Sequence, residues 1–407
     1  GKALEVFKNQ MEPIVDLSLK LLASDSLDNI TLSVIAEFLI LISESNKKFF
    51  KKNNCKYLNL ALECGFKFSS DESGSEKEEN SPKCQIGERM IEEYSQLFPS
   101  KFVFEIAMKY IKLFVSNENG FVRKQGIRAI CCISESCSEK IKEHLPEFID
   151  LLEDKFKNDK ENKVKIACLI AIDNLSEFCY PQIAEYYDRI LPISITGLFS
   201  EDPEIVANSL VAFKFYSQNH DVDLSPYIAK VFPRLIELLN SKLFYIQRDS
   251  LTALSAIVES SKDIEQNTLM AILETCKGII DSKTKDEDCE VRSCALNCVA
   301  HIANAIKLEK FNPFLPFFSQ IALQGINSNL YEMQSAGFTY LKYISELLGD
   351  SFGSELDNIM PIAMKLLKDD SGIIGVKADK ENQGMGLEEV SDDDEDEEDC
   401  KIFLIFF

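Results

Sequence analysis

Residues 291–302 read Val-Arg-Ser-Cys-Ala-Leu-Asn-Cys-Val-Ala-His-Ile, and their apolar members decide the fold. Val291, Cys294, Ala295, Cys298, Val299 and Ile302 stand at offsets 0, 3, 4, 7, 8 and 11 from the first residue. Those offsets trace one face of an α-helix and no face of a strand. The same offsets recur at Val164, Ala167, Cys168, Ala171, Ile172 and Leu175, and at Met333, Ala336, Gly337, Tyr340, Leu341 and Ile344. A fourth stripe, Ile246, Ser250, Ala253, Leu254 and Ile257, lacks one member of the pattern. The middle positions are small, as they must be where two helices approach closely.

A second signal keeps the same register. Proline follows a large apolar residue at Leu145-Pro146, Leu191-Pro192, Phe232-Pro233, Leu315-Pro316 and Met360-Pro361. The intervals are 46, 41, 83 and 45 residues, the third being two periods with one proline missing near Ala271. A period of about 42 is that of HEAT and armadillo helix pairs. The pairs, first helix A and then B, are predicted at 12–24/28–48, 54–68/84–98, 101–117/119–136, 139–157/161–178, 181–199/202–218, 225–240/243–261, 263–282/286–306 and 310–326/329–349, with a lone helix at 352–369. Asp202-Pro203 and Ser225-Pro226 have the wording of helix starts. The expected fold is all-α: an α-α superhelix, or HEAT-repeat solenoid, of about eight helix pairs plus one lone helix. One solenoid is expected over residues 1–370, with an acidic insert at 69–83, followed by a mobile acidic tail or inter-helix insert at 371–400. A single repeat cannot bury its stripe, but stacked repeats share a core and present a concave inner face.

Composition supports a globular chain. Of 407 residues, 45% are hydrophobic and 27% charged, which excludes collagen, wholly disordered and disulfide-scaffold classes. No apolar run is long enough to span a membrane, and no signal peptide is visible. Thirteen cysteines without a scaffold spacing read as reduced thiols of a cytosolic or nuclear protein. The chain opens on Gly1 and stops in the apolar Ile402–Phe407, which reads as a piece of a longer protein. Net charge is −23, of which residues 388–399 carry −10 and residues 71–79 carry −4. Such runs stay mobile, repel phosphate backbones and attract basic partners.

Catalytic, cofactor and metal chemistry find no support. His144, His220 and His301 lie in different repeats, and His301, between Ala300 and Ile302, reads as structural or surface. Cys294 and Cys298 are one helical turn apart but lie on the apolar stripe, where cysteine acts as a small hydrophobe. No Cys-x-x-Cys pair, phosphate loop, nucleophile elbow or calcium loop is present, so no enzyme, cofactor or metal is expected. The lysine clusters are interleaved with acids and amides, so direct nucleic-acid binding is not expected. Ser73-Gly-Ser-Glu76 and Ser391-Asp-Asp-Asp394 fit acidophilic kinase sites.

The candidate binding residues are of two kinds. One is the acid of the inserts: Asp71, Glu72, Glu76, Glu78 and Glu79, then Asp392, Asp393, Asp394 and Glu395. The other is the B-helix face opposite the apolar stripe, which holds Asp173, Glu177, Glu259, Asn297, Asn304, Phe338 and Glu346, with Lys342 breaking the acidic trend. Either set suits a basic protein ligand.

The repeat length, the order of the two acidic inserts and the local wording resemble the karyopherin-β (importin-β) family, most of all its importin-4 subgroup. Residues 2–7, Lys-Ala-Leu-Glu-Val-Phe, are similar to a segment a third of the way into such a receptor. Residues 123–134, Arg-Lys-Gln-Gly-Ile-Arg-Ala-Ile-Cys-Cys-Ile-Ser, are similar to the B helix after its first acidic insert. Residues 145–200 and Asp286 to Ile306 resemble later repeats, so the likeness covers nearly all of 2–399 and implies a middle fragment. It implies a nuclear import receptor that shuttles between cytoplasm and nucleus and holds basic cargo, such as histones or ribosomal proteins, in its concave face. It also implies release by Ran-GTP in the full protein and weak contacts with Phe-Gly nucleoporins. The rival readings are a HEAT scaffold of another assembly and a histone chaperone.

Overall fold

The computed structural model describes residues 2–353 with Met360, Pro361 and Met364, apart from 25, 73–80, 219–223, 261–263, 284, 286–287 and 307. The lone helix expected at 352–369 and the tail at 371–400 fall largely or wholly outside these residues. Among the described residues the secondary structure is helical, without a strand. The chain divides into two compact units, Gly1–Val222 and Asp223–Phe407.

The first unit runs α1 (Lys2–Leu22), α2 (Asn29–Ser45), α3 (Lys47–Phe50), α4 (Lys52–Ser69), α5 (Pro82–Leu97), α6 (Ser100–Val115), α7 (Gly120–Ser134), α8 (Ser138–Glu143), α9 (Leu145–Asn158), α10 (Asn162–Phe178), α11 (Tyr187–Leu198) and α12 (Pro203–Gln218). The B helices α2, α5, α7, α10 and α12 pack in succession, each against its neighbour and its own A helix. The second unit holds α13 (Ser225–Leu238), α14 (Phe244–Ser260), α15 (Gln266–Ser282), α16 (Cys289–Ala305), α17 (Leu308–Phe311), α18 (Leu315–Ile326) and α19 (Tyr331–Leu348). Here the B helices are α14, α16 and α19, again packed in succession. Each unit is thus a stack of HEAT pairs.

Local chemistry sets the helix starts. Asp28 caps α2 by accepting the Thr31 amide at 2.9 Å, and Ser81 caps α5 by accepting the Cys84 amide at 3.0 Å. Asn119 accepts the Phe121 amide at 2.8 Å and opens α7. The stripes go where their period points. Val164, Cys168, Ala171, Ile172 and Leu175 on α10 are at most 1% exposed. Val291, Ala295, Cys298, Val299 and Ile302 on α16 are buried too, while Cys294 is half-buried. Close approach explains the small residues. A Cβ on Gly337 would lie 2.6 Å from Ile326 Cγ1 and 2.7 Å from the Ala322 carbonyl of its A helix. One on Gly126 would meet Phe114 Cβ at 2.8 Å.

Three A helices depart from the expected continuous runs. The run 139–157 is split into α8 and α9 at His144, and 310–326 into α17 and α18. The run 181–199 begins as a 3₁₀ turn, Gln182–Tyr186, before α11. Proline accounts for the two splits, because its ring excludes the helical hydrogen bond and disfavours helix in the residue before it. Pro146 and Pro316 occupy the first turn of α9 and α18, whereas Pro192 and Pro233 lie inside α11 and α13. Near the start of α4, Asn53, Asn54 and Cys55 take left-handed φ of 51, 54 and 58°, so the regular helix begins after Cys55.

Candidate binding face

In each unit the B-helix surface opposite the apolar stripe carries polar groups from successive repeats. On the first unit, Arg128 of α7 donates through Nη2 to Glu88 of α5 at 3.2 Å. On α10, Asp173 is half-buried and Glu177, one turn on, is exposed. Burial lifts the Asp173 carboxyl above its ordinary value, Glu177 adds to this, and Lys214 of α12 opposes it. Asp173 therefore sits where a further cation lowers the energy.

Nearer the A–B turns the same unit is tied by ion pairs. Arg123 forks onto Asp159 with Nε and Nη2 at 2.7 and 2.8 Å, and its Nη1 donates to the Glu118 carbonyl at 2.7 Å. Asp159 is 3% exposed, and the hydrogen bonds from Arg123 hold its carboxyl below the usual range. Asn162 donates to Asp202 at 2.7 Å, joining α10 to the turn before α12.

The first acidic insert begins at this edge. Asp71 pairs with Lys83 at 2.9 Å, and its carbonyl accepts the Ser81 hydroxyl at 2.9 Å. Glu72 accepts from Asn119 Nδ2 at 2.6 Å. Asp71 thus braces the base of the insert against the start of α5, and Glu72 braces it against the start of α7. Glu76, Glu78 and Glu79, and Asp392, Asp393, Asp394 and Glu395, lie outside the described residues, as do both kinase-site stretches.

On the second unit, three B-helix residues exactly one period apart meet. Glu259 of α14, His301 of α16 and Tyr343 of α19 are spaced by 42 residues each. The Tyr343 hydroxyl donates to Glu259 Oε1 at 3.1 Å, and His301 Nδ1 lies 3.5 Å from Glu259 Oε2. The His301 and Tyr343 rings are 4.8 Å apart. Asn297 is half-buried one turn before His301, Asn304 is exposed near the end of α16, and Phe338 is half-buried on α19. Nearer the helix starts Arg248 bridges to Glu290 at 2.7 Å, again 42 residues away.

The structure thus brings Glu259 to His301, one turn from Asn297, sets Asp173 beside Glu177, and engages Asp71 and Glu72 elsewhere. Reading along single helices missed His301, Tyr343, Arg128 and Glu88. The period itself held the missing signal for the first two, since residues 42 apart on successive B helices become neighbours. Among the described residues, no group of three or more His, Cys, Asp or Glu could hold a metal, and no helix is long and apolar enough to cross a membrane.

Comparison with known proteins follows the same lines. Residues 122–288 match the family model described as "Stalled ribosome sensor GCN1-like, HEAT repeats". Importin subunit beta-3 of Saccharomyces cerevisiae is 22% identical over 382 residues, covering 88% of this chain and 34% of its own. Over most of its length the chain is similar to importin β subunits. A second relative, the probable importin subunit beta-4 of Schizosaccharomyces pombe, is 21% identical, covering 75% of this chain and 29% of its own. Solved structures of Kap121p bound to Pho4p, Nup53p and RanGTP superpose with TM-scores of 0.74, 0.73 and 0.72 at 18% identity. They cover 89–90% of this chain and 36–37% of theirs, and establish the solenoid fold. The chain spans about a third of the length of the curated relatives it matches.

Proposed function

We propose that this chain is part of a karyopherin-β-type nuclear import receptor that shuttles between cytoplasm and nucleus and holds basic protein cargo on its B-helix faces. The observation that carries the reading is the row of acids and amides set opposite the buried stripes: Asp173 and Glu177 on one unit, Glu259, Asn297 and Asn304 on the other. Lysine- and arginine-rich segments, as in histones and ribosomal proteins, are the matching chemistry, and the net charge of −23 speeds their capture. The acid of residues 76–79 and 392–395 is read as a second, looser hold on the same cargo. Kap121p, solved with Pho4p, Nup53p and RanGTP, is the ground for proposing cargo, Phe-Gly nucleoporin and Ran-GTP as partners of the whole receptor. The role is non-enzymatic and needs no cofactor.

The test is binding of an arginine- and lysine-rich tail peptide against ionic strength, beside a variant lacking 69–83 and 388–399. Affinity should fall steeply as salt rises, because the Debye length shrinks below ~10 Å above about 0.1 M. A flatter slope in the deletion assigns cargo contact to the inserts, and an unchanged slope assigns it to the B-helix faces. Absence of binding at low salt rejects the reading. The family-model match over 122–288 favours a second reading, a HEAT scaffold, whose apolar interface would persist at high salt.

A further inference from the structure

At the centre of α16 two polar atoms are buried without a hydrogen-bond partner: Asn297 Oδ1 and His301 Nδ1. They are one helical turn apart, so their side chains are neighbours on one face. Beside His301 stands the Glu259 carboxylate, which is 44% exposed and already accepts the Tyr343 hydroxyl. The arrangement is a shortage of donors. Asn297 Oδ1 and the Glu259 carboxylate are acceptors, and in the neutral imidazole tautomer with its proton on Nε2 the Nδ1 is a third; the other neutral tautomer aims its Nδ1–H at Glu259 Oε2, 3.5 Å away. A buried acceptor left unsatisfied costs about 1–3 kcal/mol, so the site favours whatever brings N–H groups to it. The Tyr343 ring, 4.8 Å from the imidazole, adds an aromatic face on which a cation can rest; the chain's own Lys342 Nζ already lies 5.6 Å from its centroid.

Two things can bring a positive charge together with a donor. One is a cationic side chain from outside. The other is a proton on His301 Nδ1, which lies 3.5 Å from Glu259 Oε2 and would close onto it as an ion pair. The two exclude each other, since imidazolium both consumes the carboxylate and repels a second cation. We propose that Glu259, Asn297, His301 and Tyr343 form a subsite for one cationic side chain of a bound basic peptide, an arginine guanidinium or a lysine ammonium, and that protonation of His301 closes it. The subsite rests on the reading of these faces as cargo surfaces, and adds to it a place and a pH response.

The surroundings keep the site open at neutral pH. Burial holds the His301 imidazole below its ordinary value of 6.5; Glu259 opposes this and Lys342 adds to it. The charged and titratable groups facing it are Glu259 from α14 and Lys342 and Tyr343 from α19, with Glu346 acting on Tyr343. On α15, Cys276 turns to Cys298 instead. The subsite therefore binds cations above the His301 midpoint and loses them below it.

Two measurements test this on the whole chain. The first follows the histidine ring protons by NMR across pH, with His301 assigned by His301→Gln, in the absence and presence of N-acetyl-arginine amide. A cation that binds only the neutral form must lower the His301 midpoint, by reciprocity of linked equilibria, and leave that of His144 in place. Glu259→Gln should abolish the shift. The second measures an arginine-rich peptide at constant ionic strength. Its affinity should fall roughly tenfold in Glu259→Gln. In the native chain it should weaken roughly tenfold one pH unit below the His301 midpoint, where about a tenth of the sites remain neutral. In His301→Gln, which keeps an acceptor but does not titrate, that pH dependence should vanish.

A peptide that binds equally well to Glu259→Gln and Asn297→Ala, with a pH dependence that survives His301→Gln, overturns the subsite and leaves the cargo reading standing. A midpoint lowered by the arginine amide in a chain that binds no basic peptide upholds the subsite and removes the cargo reading. A midpoint that does not move, together with no peptide binding, overturns both.

Discussion

At the scale of single residues, the Arg123–Asp159 fork separates an ion pair that matters from the many that do not. Most pairs here join exposed side chains, as Lys109–Glu63 at 3.9 Å does, and such pairs contribute about 0–1 kcal/mol. Asp159 is 3% exposed and accepts both arms of a guanidinium. Replacing Arg123 by Ala takes the cation from a carboxylate that then keeps only the Glu161 amide, and should cost about 3 kcal/mol in urea unfolding. Arg123→Lys should recover only part, because an ammonium cannot fork. Since the folded Asp159 carboxyl lies below its ordinary value of 3.8, the pair's stabilisation is present above that value. It is lost as pH falls through the folded value. An Asp159→Asn chain as stable as the native one at pH 7 would show that the pair contributes nothing. Thiols give a second check at this scale. Burial pushes Cys84 up to about 12 and Cys137 and Cys179 up to about 11. Only the thiolate alkylates, so iodoacetamide near neutral pH should leave all three unmodified until denaturant is added. Mass spectrometry showing early labelling at Cys84 would contradict its place in the core.

At the scale of the element, what decides the packing is how closely A and B helices approach within a pair. Gly337 brings α19 against the Ala322 carbonyl of α18, so Gly337→Ala should force the pair apart and destabilise by about 2–3 kcal/mol. Gly278 supplies the control, because a Cβ there meets nothing within 4 Å and the residue is inside α15. Gly278→Ala should stabilise by roughly 0.5–1 kcal/mol through helix propensity alone. Equal effects from the two substitutions in denaturant titrations would mean that propensity, not approach distance, governs both. The A helices show the limit of local wording. Leu145-Pro146 and Leu191-Pro192 read alike, yet the first opens α9 and the second lies inside α11. The difference lies in what precedes each proline, a break at His144 in one and the 3₁₀ turn through Tyr186 in the other.

At the scale of the whole molecule, the net charge of −23 outweighs the local pairs. Like charges spread over a surface oppose compaction and are screened by salt, as exposed attractive pairs are. Repulsion is in excess here, so the midpoint of thermal unfolding should rise as sodium chloride is raised from low to physiological concentration. A fall would mean that ion pairs such as Arg123–Asp159 and Arg248–Glu290 dominate the balance. The sequence by itself determined the helical class, the period of about 42 residues and the buried stripes, because each depends on residues within one or two turns of each other. It also placed Glu259 and Asn297 on the surface opposite the stripe, by the same 3.6-residue geometry. Only the tertiary structure decided which groups meet there. His301 read as a structural or surface residue within its own helix and became part of a cluster once α14 and α19 were packed against α16. Glu72, grouped with the insert by its neighbours in the chain, was drawn instead to Asn119, 47 residues away. Periodicity specifies which face of a helix is dry. The partners on the wet face are set by the stacking of repeats, in which residues far apart in sequence share one environment.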